Sequence, residues 1–278
     1  MAETPTLTDR RALEAARARA RRIADDGAWA LHREAADEVQ ERLRDVNRTF
    51  TAPAVVTAFP DLFADLLPGA VVVLDAPVLA LEPGAHDLVV HFMCLHWADD
   101  PVGQLIQCRR ALRPDGLLIA CAMGGDTLAE ARAAFAEAEA RISGGLSPRV
   151  APMGEVRDLG ALLQRAGLAL PVADTQPRRV RYRDLRHLVG DLRATGETNA
   201  LAARHRVTPP RELFSEAERI YKAAYPDGDG IGATFETIFL TGWAPSDDQP
   251  KPLRPGSATA RLADALGVPE LGEEGTRT

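Results

Sequence analysis

Three stretches of the chain bring chemically useful side chains to the ends of apolar runs. AVVVLDA, residues 70–76, closes on the carboxylate of Asp75; HDLVVHFMCLHW, residues 86–97, closes on Leu95, His96 and Trp97; AVVTAFPDLF, residues 54–63, turns at Phe59 and Pro60. Ligands of open α/β sheets bind in the crevice outside the carboxyl ends of the strands, so these positions are the ones to weigh first. A histidine there can move a proton near neutral pH, or can hold a purely structural hydrogen bond. Asp75 can grip a ligand or cap the turn after its strand, and Trp97 can line a pocket or fill the core. His91 lies inside the same run and reads as a core or edge residue. The six histidines are scattered without the spacing of two histidines and one carboxylate, and no metal is expected. Cys94, Cys108 and Cys121 form no CxxC pair, lie in or beside apolar segments, and read as reduced core thiols.

The elements that must position these residues follow from periodicity. TDRRALEAARARARRIADD near the start is a run of strong helix formers with Thr8 or Asp9 as N-cap, and it reads as a solvated surface helix. Its four acids argue against an organelle transit peptide. Residues 30–46 place Leu31, Ala35, Val39, Leu43 and Val46 at steps of three and four, an amphipathic helix. Strands are expected at 52–59, 70–76, 86–95 and 117–123, with helices at 60–69 and 100–112 between them. Unbroken β-branched runs indicate strands buried on both faces, hence a doubly wound parallel sheet. Further on come helices at 126–142 and 156–167, a strand at 171–182, helices from Asp184 to Ala224, a strong strand at 233–244, and a short helix near 258–266. The domain reading is N-terminal helices over 1–50, an α/β domain over 51–258 with a helical insertion at 184–224, and a tail over 259–278.

A net charge of −7 argues against broad attraction to nucleic acid or anionic lipid. No apolar run reaches the roughly 18 residues that a membrane span needs, and no secretory h-region is present. A cytoplasmic protein is expected. The arginine run QPRRVRYRDLR, 176–186, reads as a solvated edge strand, and the insertion carrying Arg204, His205, Tyr221 and Tyr225 as helical packing or a recognition surface.

LHWADDPVGQLIQCRRALRPDGLLIACAMGGDTLAEAR, 95–132, resembles the second half of a class I S-adenosylmethionine-dependent methyltransferase. SPRVAPMGEVRDLGALLQRAGLALPVAD (147–174), TNALAARHR (198–206) and TFETIFLTGWAPSDDQPKPLRPGSA (234–258) are similar, in order, to one branch, the complex I assembly-factor methyltransferases of mitochondria and alphaproteobacteria. Malonyl carrier-protein methyltransferases are more distant kin. The resemblance implies a Rossmann-like methyltransferase sheet with flanking helices and S-adenosylmethionine as cofactor. It places Asp75 against the adenine amine, and Leu95, His96 and Trp97 on the methionine side of the pocket. It also implies a protein substrate, a complex I subunit being the candidate, with methyl transfer or arginine hydroxylation as the chemistry. Methyl transfer asks for alignment of donor and acceptor rather than for a catalytic triad.

Two departures stand out. The family's first strand ends in a D-x-G-x-G type loop, whereas no glycine lies here between Gly27 and Gly69, and Phe59 and Pro60 hold the turn. Only about thirty residues separate that strand from Asp87, against about twice that for two βα units, so the sheet is expected to be one βα unit short. Losing the glycine loop and the ribose-binding acid of the missing strand would cost about 1 to 3 kcal/mol each in cofactor binding. An active enzyme should therefore show an open pocket bounded by Phe59, Asp75 and Trp97, and a noncatalytic assembly protein should show it filled.

Overall fold

The computed structural model describes residues 6–249. Two helices come first, α1 (Arg10–Ile23) and α2 (Ala30–Asp45), followed by β1 (Pro53–Thr57), the short α3 (Pro60–Phe63), β2 (Val71–Leu74) and β3 (His86–Phe92). Then come α4 (Pro101–Ala111), β4 (Leu112–Met123), α5 (Ala129–Ser143), α6 (Val156–Arg165) and β5 (Ala169–Tyr182). The insertion α7 (Leu185–Ala194) and α8 (Arg211–Ala224) leads into the two-residue β6 (Pro226–Asp227) and the long β7 (Gly230–Trp243). The expected helix near 258–266 lies outside the described residues.

The strands form one sheet in the order β2-β1-β3-β4-β7-β5, with β6 on β7. The pairs β1–β2, β1–β3 and β3–β4 are parallel, and β7 runs antiparallel to both β4 and β5. All five residues of β1 are buried, and Leu117 to Met123 of β4 likewise, because helices cover both faces of the central strands. Among the described residues β2 is the only strand beyond β1, so the side of the sheet that holds the first crevice is two strands wide there.

Two boundaries differ from the sequence reading. The third strand stops at Phe92, and Leu95–Trp97 form a single 3₁₀ turn, since Met93 at φ +51° breaks the extended path. The turn RPDG does not precede β4 but is absorbed in it: the register jumps between the pairs His86–Leu112 and Leu88–Leu117, with Asp115 at φ +59°. An extra segment accommodated in one strand of a pair is a bulge, which sequence presents as a turn.

The larger correction concerns α1. It is not a solvated surface helix: Leu13, Ala16, Arg17 and Ala20 are buried. Asp9 caps it by accepting from Ala12 N, and Thr8 bridges to Leu201 at the insertion. The Ala-Arg pattern looks water-loving, yet arginine stems pack on apolar surface and their guanidinium groups can be buried when acceptors meet them.

Candidate functional site

The acceptors that meet α1 are at the carboxyl ends of β1 and β2. Arg21 donates to the carbonyl of Ala58 at 2.7 Å, Arg17 Nη1 donates to Asp75 Oδ2 at 2.7 Å, and Arg10 donates to the Asp75 carbonyl. Asp75 and Arg17 are both almost fully buried, and Arg10 adds a second cation 3.3 Å from the same carboxylate oxygen. The helix thus delivers its arginines at positions 10, 17 and 21, on one face, to the place where a nucleoside would meet the sheet.

Phe59 closes the adjoining turn. It is 3 % exposed and meets Trp29 edge-to-face, with ring centroids 4.7 Å apart, while the Arg21 guanidinium lies 5.2 Å over its ring. Gly196 presses on the same ring from the insertion. Its φ is +80°, and a β-carbon there would stand 3.2 Å from Phe59 Cζ and 3.3 Å from Arg17 Cα. A space of about 260 Å³ lies beside Asp75; Thr8, Arg10, Trp97, Asp99 and Gln104 help to line it, and Phe59 does not. That is below the usual range of small-molecule pockets, which begins at about 300 Å³. In this conformation the residues present do not fit a nucleoside at Asp75, because Arg17 holds the carboxylate that would receive it.

On the other side of Trp97 the geometry is the reverse. His96 Nε2 donates to Glu197 Oε2 at 3.1 Å, and the Trp97 indole donates to the same oxygen at 2.8 Å. The Met123 amide lies 3.4 Å from His96 Nδ1, which orients the ring with Nε2 toward Glu197. No hydrogen bond to Glu197 Oε1 occurs among the described residues. Burial pushes the Glu197 carboxyl up, but His96, His32 and the two donors outweigh it and hold it below the usual carboxylate range. Glu197 is therefore ionised at neutral pH. It lines a cavity of about 310 Å³ whose walls are mainly apolar, with Trp97, Phe135, Leu188 and Phe214 among them.

Asp75 thus lines the smaller space and Trp97 lines both, whereas His96 lines neither and reaches the larger one only through its bond to Glu197, and Leu95 is buried in the core. Glu197 was missed by the sequence reading. It precedes the TNALAARHR motif by one residue, in a polar turn that carries no periodic signal. His91 is a core residue bonded to Gln104, and its burial lowers its pKa. Burial raises the three thiols, Cys108 and Cys121 to about 12, so all are inert at neutral pH. In the insertion, Tyr221 is fully buried and donates to the Gly232 carbonyl, and Arg204 pairs with Asp9. No group of His, Cys, Asp or Glu that could hold a metal occurs among the described residues.

A mainly parallel sheet, an antiparallel strand β7 between β4 and β5, and a crevice at the strand ends define a Rossmann-like class I methyltransferase fold. Residues 34–120 match the family model described as a methyltransferase domain. The chain is 32% identical over 234 residues to the human protein named "Arginine-hydroxylase NDUFAF5, mitochondrial", covering 84% of this chain and 68% of that one. Its counterpart of the same name in Dictyostelium discoideum is 35% identical over 72% of this chain, which spans only 46% of that longer protein. A malonyl-[acyl-carrier protein] O-methyltransferase of Laribacter hongkongensis is 33% identical over 64% of this chain and 57% of its own length. The chain belongs to the NDUFAF5 family, the complex I assembly-factor branch of the class I methyltransferases.

Proposed function

We propose that this chain serves complex I assembly as a protein-binding member of its family, holding a basic side chain of a complex I subunit in the Glu197 cavity. In this reading S-adenosylmethionine binding is impaired, and the protein acts in the cytoplasm. Arg17 carries the reading: its guanidinium occupies the bonding position on Asp75 that a nucleoside would need. Two of the relatives named above carry the name arginine-hydroxylase, and a guanidinium suits the cavity: apolar and aromatic walls take the stem and plane of an arginine, and an ionised carboxylate has an oxygen to spare. Hydroxylation of an arginine held there would need an oxidant in addition to these residues.

A second reading, an S-adenosylmethionine-dependent methyltransferase, is favoured by the methyltransferase domain model that residues 34–120 match. It requires Arg10 and Arg17 to leave the Asp75 carboxylate.

Calorimetric titration with S-adenosylmethionine and S-adenosylhomocysteine separates the two. The expected result is binding no tighter than millimolar, and saturable micromolar binding, about 4 kcal/mol stronger, would overturn the first reading. Titration with an arginine-containing complex I peptide tests the cavity. Glu197→Gln keeps the shape and the acceptor for Trp97 but removes the charge, and should weaken that binding about tenfold to a hundredfold.

A further inference from the structure

The two edges of the sheet are built differently. β5, at one end, carries Pro171, Asp174, Pro177, Arg178, Arg179 and Arg181, the prolines and charges that keep an edge from pairing with another chain. β2, at the other end, reads Val71-Val72-Val73-Leu74, without a charge or a proline. Val71 is 52% and Leu74 53% exposed, and nearby in the chain Leu62 and Val78 are exposed too. Among the described residues, β1 is the only strand on β2.

We propose that β2 is a dimerisation edge, which pairs antiparallel with β2 of a second copy of this chain. The backbone restricts the register. Asp75 N donates to Thr57 O of the β1 side. A parallel strand turns alternate residues to opposite neighbours, so Val71 and Val73 also face β1, and Val72 and Leu74 point their N–H and C=O groups outward. A two-fold axis at Val73 sets Val72 opposite Leu74 of the copy, and Leu74 opposite its Val72. Every outward N–H then meets an outward C=O, which no neighbouring register achieves. The side chains that meet are all apolar, so a copy brings no like charge to the strand itself, and strand and partner are the same surface, as a two-fold interface demands. A charged or polar partner strand would find nothing on β2 to answer its side chains.

Sedimentation equilibrium of the full chain tests this. The wild type should dimerise, and Leu74→Lys, at an exposed position, should weaken the dimer about tenfold or more while leaving the circular dichroism spectrum unchanged. Val172→Lys on the opposite edge, exposed to a similar degree, should leave the dimer intact. A wild type that remains monomeric, a dimer indifferent to Leu74→Lys, or equal loss with Val172→Lys would each overturn the proposal.

Discussion

Two spaces flank Trp97, and each has a carboxylate that is met by different partners. The crevice beside β1 and β2 has a carboxylate, Asp75, and the chain supplies its own cations, Arg17 and Arg10. The cavity toward α5 and α7 has a carboxylate too, Glu197, but there the partners are a histidine and an indole that both bond one oxygen. At Asp75 two arginines meet one carboxylate oxygen, Oδ2, and their charge already answers the carboxylate's. At Glu197 the two donors also meet one oxygen, but neither is an arginine, so a cation has more to gain there. The difference teaches that a carboxylate at a strand end is not thereby open to a ligand, because an internal partner can take that place.

The largest expected effect comes from breaking the closed side. Asp75→Ala leaves Arg17 buried without its carboxylate and should destabilise the fold by about 3 to 5 kcal/mol in urea denaturation. The double variant Arg17→Met/Asp75→Leu should recover most of that loss; if the two changes simply add, the pair is not what closes the crevice.

A smaller effect concerns acid. His32 packs between Trp29 and Phe63 in the same closing cluster, its Nδ1 has no hydrogen-bond partner among the described residues, and burial lowers its pKa from 6.5 to about 4. The unfolded chain therefore binds the extra proton between those values, so stability is complete above about pH 6.5 and falls as pH drops toward 4, by roughly 3 kcal/mol at most. His91, buried and lowered in the same direction, adds to the slope. His32→Phe should flatten the stability profile over this window without abolishing its slope, and an unchanged profile would place the acid sensitivity elsewhere.

The smallest effect sharpens the comparison on the ligand side. Phe59→Gly/Pro60→Gly restores flexibility to the turn but leaves Arg17 on Asp75, and should raise S-adenosylmethionine affinity less than about tenfold. Adding Arg17→Ala should raise it further. A full gain from the glycines alone would put the whole defect in the turn, and no gain from the triple variant would put it in the missing βα unit.

Much of this was legible in the chain. The order of strands and helices followed from β-branched runs and helical periodicity, and the absence of glycine at Phe59 and Pro60 marked a turn that the structure shows closed by buried Phe59. The thiols, Tyr221 and the arginine-rich strand found roles close to those their surroundings suggested. Three features were not legible. The RPDG bulge was hidden because bulges and turns use the same residues. Glu197 was hidden because its partners, His96 and Trp97, are about a hundred positions away. The burial of α1 was hidden because arginine reads as solvent-facing until its acceptors are known.

The sequence by itself determined the elements, their alternation and the family, because these depend on local periodicity and on motifs that survive in order. Only the tertiary structure decided which carboxylate meets arginines and which meets a histidine and an indole. That depends on where α1 and the 195–197 turn come to rest on the strand ends, and charge pairing over such separations is a property of distance in space rather than of position along the chain.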